Sequence, residues 1–308
     1  MSKKLRIGQK NFMGQKFKKV AVLMGGPSAE REVSLRSGAA VARGLRAAGY
    51  AVDEVDARDG SLKFHADVEA VFVALHGTFG EDGEVQAQLR ARQMPYTGSG
   101  AEASRRAFDK LQSKRVFVEV GIPTPEYAVL TAVAACPLPL PVVVKPTRQG
   151  SSIGLHCVRA ESDWAAALAD ALRYGPVLVE RFIPGRELTV GLLGDAALPV
   201  VEVRAPEGWY DYGAKYTQGR TDYLVPAPLT GAQTLRCQDL ARRVFQSLDC
   251  RDLGRVDFRL SPTDELFVLE MNTIPGFTQT SLLPKAAQAA GIDFAALCDR
   301  IMQRATVH

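Results

Sequence analysis

The sequence predicts a chain of α/β and α+β units, and three observations point to it. From Lys19 to about residue 100, apolar strand-like runs alternate with helix-period segments, the pattern of a mainly parallel sheet with crossover helices. In the middle, short strand-like runs surround one helical segment. Near the end, Gly254–Leu260 and Leu266–Met271 read as two strands of an antiparallel hairpin.

Each element has a local reason. Val20–Met24 is a continuous apolar run stopped by Gly25 and Gly26, and Val33–Ala48 carries apolar residues at helical spacing until Gly49. Tyr50–Val55 and Ala70–Leu75 are the next strands, and Glu84–Gln93 is a short helix. A helix is expected from Ala103 to Val120, followed by a connector from Pro123 to Pro141 with five prolines. Strands at Val142–Lys145, Leu155–Val158 and Val177–Glu180 enclose a helix at Ser162–Leu172. Then come strands at Leu188–Leu193 and Leu198–Arg204, a polar aromatic loop from Trp209 to Tyr223, a helix at Ala232–Leu248, the hairpin and two last helices. A loop of that length suggests function rather than simple connection.

Composition excludes several classes. The chain has 308 residues, 46% hydrophobic and 23% charged, enough for two or three packed domains and unlike disordered or fibrous chains. The uncharged run Ala128–Val144 contains Pro137, Pro139 and Pro141 and cannot be a continuous membrane-spanning helix. Five cysteines without a Cys-x-x-Cys pair suit a reducing cytoplasm better than a disulfide framework or a zinc site. The net charge of +4 comes from residues 1–19, which hold seven Lys or Arg and no acid; the rest is net −3 and offers no general basic field for nucleic acid. That tail lacks the apolar segment of a signal peptide and reads as a flexible basic extension over 1–17.

The hairpin carries the most chemistry. A two-residue turn at Thr263-Asp264 would set Asp257 opposite Glu270 and Arg255 opposite Asn272, all on one sheet face. Two carboxylates facing each other require a positive group nearby. Asp, Glu and Asn as an all-oxygen set suit Mg²⁺ with phosphate, although a solvent-exposed charged hairpin gives the same pattern. Lys145-Pro146-Thr147-Arg148-Gln149-Gly150-Ser151-Ser152-Ile153-Gly154 puts a lysine at a strand end before a Gly/Ser loop, able to cradle phosphate but not a P-loop. Glu30, after Gly25-Gly26-Pro27-Ser28, stands where the first strand gives way to a helix and can meet a cation. His76 follows the Ala70–Leu75 strand. Gly98-Ser99-Gly100-Ala101-Glu102-Ala103 formally fits a dinucleotide fingerprint but follows a poor strand.

Six segments in order resemble the D-alanine-D-alanine ligases of the ATP-grasp superfamily: residues 25–38, 76–87, 145–154, 210–216, 254–258 and 270–284. The resemblance covers about 18–304 and implies an ATP-grasp fold of three domains. These would be a Rossmann-like N-terminal substrate-binding domain at 18–105, a central subdomain at 106–185, and a C-terminal subdomain with the metal site at 186–308. It further implies a cytoplasmic homodimeric enzyme that joins two D-alanines through an acyl phosphate for peptidoglycan precursors. ATP and Mg²⁺ or Mn²⁺, two ions per site, would be its cofactors, with no membrane or nucleic-acid partner.

Residue by residue, the resemblance implies that Lys110, Lys145 and Lys215 meet the ATP phosphates with Ser151 and Ser152, and that Glu180 and Glu187 hold adenine and ribose. Asp257, Glu270 and Asn272 would be the metal ligands. Glu30 would bind the first D-alanine's ammonium with Ser151 and Tyr216 beside it and His76 nearby, while Ser281 and Leu282 would take the second substrate's carboxylate. Arg255 and the Gly276 N–H would stabilise the oxyanion. The Tyr210–Tyr216 segment and the glycine-rich loop would exclude water as lids. The intact 210–216 motif favours D-alanine over D-lactate as second substrate; a Rossmann-type oxidoreductase would leave the hairpin unexplained. Three residues depart from the family pattern: Arg259, on the face of Arg255 and Asp257; Gln149, where Glu is frequent; and Met271, where a smaller aliphatic residue is usual.

Overall fold

A computed structural model describes residues 14–204 and 221–308, so most of the basic tail and of the Trp209–Tyr223 loop, including Lys215 and Tyr216, lies outside the described residues. In the N-terminal unit, β1 (Lys19–Met24) lies between β2 (Ala51–Asp56) and β3 (Ala70–Val73), all parallel. Helix α1 (Arg31–Ala47) crosses between β1 and β2. Its Gly38 lies so close to β1 that a Cβ there would stand 2.4 Å from the Met24 Cβ, and Ser34 Oγ donates to the Ala74 carbonyl at 2.7 Å. Helix α2 (Glu84–Ala91) completes the unit.

The helix expected over Ala103–Val120 is two helices, α3 (Ala101–Phe108) and α4 (Lys110–Glu119). Asp109 breaks it: its backbone is extended, and its carboxylate accepts from the N–H groups of Leu111 and Gln112 as the N-cap of α4. Helix periodicity alone does not reveal the break, because both halves keep an apolar face.

The second sheet has β4 (Tyr127–Leu130), β5 (Val142–Pro146), β6 (His156–Val158) and β7 (Val177–Arg181) in the antiparallel order β4-β7-β5-β6. It is covered by α5 (Glu161–Leu172), whose Trp164 and Leu168 are buried. Strand β4 lies inside the proline-rich connector where none was expected. Its own four residues contain no proline, and it occupies a sheet edge, where proline neighbours are tolerated.

The third sheet is antiparallel along β11-β10-β8-β12-β13: β8 (Arg186–Leu193), β10 (Val201–Arg204), β11 (Asp222–Leu224), β12 (Leu253–Leu260) and β13 (Leu266–Asn272), with β9 (Ala196–Ala197) folded back on β8. Tyr223 thus belongs to a strand rather than to the expected loop. Helix α6 (Gly231–Ser247) starts at a Thr230/Gln233 capping box, and α7 (Leu282–Ala289) and α8 (Phe294–Met302) end the chain.

The cores join these units. Val22 and Phe72 of the first sheet pack in one cluster with Leu283 of α7 and Ile301 of α8, and Phe117 of α4 packs with Leu188, Val256 and Val244 of the third sheet and α6. Residues 15–17, expected within the flexible extension, are anchored instead. Phe17 is buried, Gln15 Nε2 donates to the Ala48 carbonyl at 2.9 Å, and Lys16 Nζ donates to that of Ala305 at 2.7 Å. An aromatic side chain with a core to enter outweighs the usual fraying of a terminus.

Candidate active site

The hairpin aligns its polar residues by a route different from the one expected. Ser261 and Glu265 close a three-residue loop, with a 2.9 Å bond from Ser261 N–H to the Glu265 carbonyl, and Asp264 adopts φ +66°. Near the loop the paired residue numbers are Leu260 with Leu266 and Phe258 with Val268, one out of the expected register. A bulge then absorbs Leu269, after which Asp257 faces Glu270 and Arg255 faces Asn272. The assumed turn was wrong and the facing pairs are nevertheless as expected.

The positive groups that this pair requires are present. Arg255 grips Asp257 at two points, Nε to Oδ1 and Nη2 to Oδ2, each 2.8 Å, and Thr189 Oγ1 donates to Oδ1 at 2.7 Å. Lys110 Nζ lies 3.4 Å from Glu270 Oε2 and donates to the Gln149 carbonyl at 2.7 Å. The break at Asp109 creates this placement: Lys110 starts α4, with its N–H bound to the Thr147 carbonyl at 2.9 Å. The Asn272 Oδ1 is buried with no hydrogen-bond partner among the described residues. A buried, unpartnered amide oxygen beside two carboxylates fits a hard divalent cation. Among the described residues, no three His, Cys, Asp or Glu side chains gather as a metal site, so the amide would be an essential third donor.

The glycine-rich loop bends over this cleft. Ser151 and Ser152 hold φ of +49° and +59°, left-handed conformations that cost L-residues roughly 1–2 kcal/mol each. Ser151 donates its hydroxyl proton to Glu30 Oε1, which links the loop to the start of α1. Gly77 and Gly150 flank that carboxylate: a Cβ on either would stand 2.6 or 2.5 Å from Glu30 Oε2. Glu30, Ser151, His76, Arg255, Glu270, Asn272, Gly276, Ser281 and Leu282 all line one cleft. Ser281 Oγ accepts the Thr278 N–H at 3.0 Å, which fixes it at the start of α7. His76 forms part of the cleft wall yet is itself buried, bonded to Ile274 and Ser37.

A second, more apolar hollow opens from the same place, lined by Val143, Phe182, Ile183, Leu269, Lys145 and Glu187, with Ser151 and Ser152 at its mouth. Glu180 lies at its base, buried between Lys114 Nζ at 2.5 Å and Lys145 Nζ at 2.7 Å. Although burial opposes ionisation, the two ammonium groups hold its carboxyl below the usual range. Sequence reasoning missed Lys114, which is fully buried and also donates to Thr124 Oγ1 at 2.5 Å. Its spacing of four residues from Lys110 puts both lysines on one helix face but does not mark either as buried.

Arg259 enters the wall of this hollow. Its Nε donates to the Ile183 carbonyl at 3.0 Å, Nη1 donates to Glu187 Oε2 at 3.2 Å, and its guanidinium lies 5.6 Å from the Phe182 ring centre. Burial pushes the Glu187 carboxyl up to about 7, with Arg259 opposing. Met271 covers Gly254, whose Cβ would lie 2.1 Å from the Met271 Cε, so the longer side chain fills space that the glycine leaves. The Gly98–Gly100 loop has its amide engaged elsewhere: the Gly98 N–H is donated to Asp252 Oδ2 at 2.9 Å.

Known proteins resemble this chain over most of its length. Residues 116–303 match the family described as D-ala D-ala ligase C-terminus, and 52–99 match D-ala D-ala ligase N-terminus. The D-alanine–D-alanine ligase of Syntrophotalea carbinolica is 48% identical over 296 residues, 94% of this chain and 97% of that protein. That of Methylacidiphilum infernorum is 47% identical over 285 residues, 92% of this chain and 94% of that protein. Among solved structures, D-alanine–D-alanine ligase from Bacillus anthracis superposes with a TM-score of 0.81 at 32% identity, covering 92% of this chain and 96% of that one. The same enzyme complexed with ATP gives a TM-score of 0.80 at 29% identity, with the same coverage.

Proposed function

The chain belongs to the D-alanine-D-alanine ligase family, and from that premise we propose how its own residues join two D-alanines with ATP. One observation carries the reading. The Glu30–Ser151 bond, the Asp257–Glu270–Asn272 face and the Lys145-floored hollow open on one continuous cleft, so an amino acid and a nucleotide can meet there.

In this reading the hollow between Phe182 and Leu269 takes the adenine, with Glu187 toward the ribose. Glu180, expected with Glu187 at the adenine and ribose, is ion-paired to Lys114 and Lys145 and in this reading holds Lys145 toward the phosphates alongside Lys110, Ser151 and Ser152; Lys215 is assigned with them from the family pattern. Asp257, Glu270 and Asn272 would hold Mg²⁺ or Mn²⁺, two ions per site. When bound, such cations neutralise the phosphate oxygens so that a carboxylate can approach them.

Glu30 binds the ammonium of the first D-alanine, while Ser151, with Tyr216 assigned by resemblance, closes the loop over it. The carboxylate of that D-alanine attacks the γ-phosphorus, releasing ADP and forming D-alanyl phosphate. Ser281 Oγ and the Leu282 N–H receive the carboxylate of the second D-alanine. Its neutral amine attacks the acyl carbon, and the oxyanion forms beside Arg255 and the Gly276 N–H. Collapse expels phosphate, which takes up the proton lost by the amine, and leaves D-alanyl-D-alanine, for peptidoglycan precursors.

We assign the three domains as 18–105, 106–185 and 186–308, in keeping with the three separate sheets. A cytoplasmic location, in keeping with five free cysteines, three of them buried, completes the reading together with a homodimeric state taken from the family resemblance alone. Among the described residues, no helix is long and apolar enough to cross a membrane.

The test is incubation with ATP and Mg²⁺ and, separately, D-alanine, L-alanine, D-serine, or D-alanine plus D-lactate, with phosphate release measured and products identified by mass. D-alanyl-D-alanine from D-alanine alone supports the reading. No product from folded protein would overturn it.

A further inference from the structure

Gly276 lies between two buried tethers that converge on a single histidine. His76 Nδ1 is 3.0 Å from the Ile274 carbonyl oxygen, two residues before Gly276, and His76 Nε2 is 3.0 Å from Ser37 Oγ. That hydroxyl oxygen also accepts the N–H of Phe277, the residue after Gly276, at 3.2 Å. A carbonyl only accepts, so Nδ1 carries the proton toward Ile274, with Glu81 Oε1 3.9 Å away; Ser37 Oγ accepts from Phe277 and pairs with Nε2, donating to it when the ring is neutral. His76, Ser37, Ile274 and Phe277 are all buried, so water does not compete for these bonds. Phe277 is further wedged against Phe72 and Phe294, with ring centres 5.6 and 5.7 Å away.

The tethers cross between units of the fold. His76 follows β3, Ser37 lies on α1, and residues 274–277 follow β13, the strand that bears Glu270 and Asn272. We propose that His76 is a positioning residue which, through Ile274 on one side and Ser37–Phe277 on the other, holds the Gly276 peptide in the orientation its N–H needs to meet the oxyanion. This rests on the reading of Gly276 given above, and it assigns His76 a task other than contact with the first D-alanine. A donor in an oxyanion hole acts only if it is already aimed where charge develops, and a glycine peptide has no side chain of its own to fix it.

Three variants of the full chain separate the tethers. Ser37→Ala removes the acceptor for Phe277 and the partner of Nε2. His76→Asn places an amide near the Nδ1 position and can keep Ile274, whereas His76→Gln places one near Nε2 and can keep Ser37. Hydrogen–deuterium exchange of peptides spanning 274–278 is read alongside steady-state kinetics. Expected for Ser37→Ala are exchange at least tenfold faster in that segment, kcat for dipeptide formation lower by roughly 10–100-fold, and the KM for ATP within about twofold. The two His76 variants should each show a smaller effect in both readouts. Unchanged exchange in all three, with only the KM for D-alanine raised, would overturn the proposal in favour of a substrate contact. Should Ser37→Ala fail to fold, the His76 variants decide by the same two readouts. A wild-type protein that makes no dipeptide would instead overturn the functional reading, and that result is seen before any variant is compared.

Discussion

Asp257 faces Glu270 across β12 and β13 because a bulge at Leu269 corrects a hairpin that begins one residue out of that register. Like charges directly opposed on a sheet destabilise it, and here Arg255 and Lys110 compensate. Glu270→Gln should therefore leave the fold as stable as before or slightly more so, while D-alanine-dependent phosphate release falls by at least about 100-fold through loss of a metal ligand. Thermal melting and a phosphate assay check the two halves. Near-normal turnover would remove Glu270 from the metal set.

How much of this site could be read from the sequence depends on the type of signal. Side-chain alternation along Arg255–Arg259 and Glu270–Asn272 survives a wrong turn, because the bulge restores the pairing. The break at Asp109 and the β4 strand were not legible. A carboxylate capping its own downstream helix reads like an ordinary polar helix residue, and a strand among prolines reads as a connector. Lys114 was missed because a buried lysine declares itself only through Glu180, 66 positions away in the chain. Long-range ion pairing leaves no local pattern.

Lys114→Met should cost about 3–5 kcal/mol of stability, the usual consequence of removing one partner from a buried charge network. Glu180 would keep only Lys145, and as its carboxylate turns toward that remaining ammonium, the KM for ATP should rise several-fold. Urea unfolding and ATP titration measure both. A loss below about 1 kcal/mol, typical of exposed pairs, would show that the triad adds little to stability.

Asp252 gives a pH prediction of unusual sign. Burial pushes its carboxyl up to about 6, above the ordinary 3.8, although the Gly98 N–H and nearby arginines pull the other way. Below about pH 4 the group is protonated in both folded and unfolded chains and contributes nothing. Between about pH 4 and 6 the unfolded chain releases the proton first, so rising pH favours unfolding; above pH 6 the penalty is complete, on the order of 3 kcal/mol. Asp252→Asn, which tolerates the local φ of +60°, should gain on the wild type as pH rises from 4 to 7 and then run parallel to it. Denaturation across that range tests it, and a difference that does not change with pH would refute the assignment.

Gly150 is the most economical probe of how the loop meets the first substrate. Its φ is not left-handed, so an alanine suffers no intrinsic backbone strain, yet the new Cβ would stand 2.5 Å from Glu30 Oε2. Either the carboxylate or the loop must move, and the Ser151–Glu30 bond cannot survive both positions unchanged. Displacement of a substrate-holding group by about 1 Å can cost 10²-fold in rate. Gly150→Ala should therefore lower kcat/KM for D-alanine by roughly 10–100-fold while nucleotide affinity, to which Lys145, Lys110 and the apolar hollow contribute beside the loop serines, falls less. Initial rates with D-alanine varied at saturating ATP, together with ATP binding by calorimetry, separate the two. Equal losses in both would mean that the loop serves the phosphates first and Glu30 only incidentally.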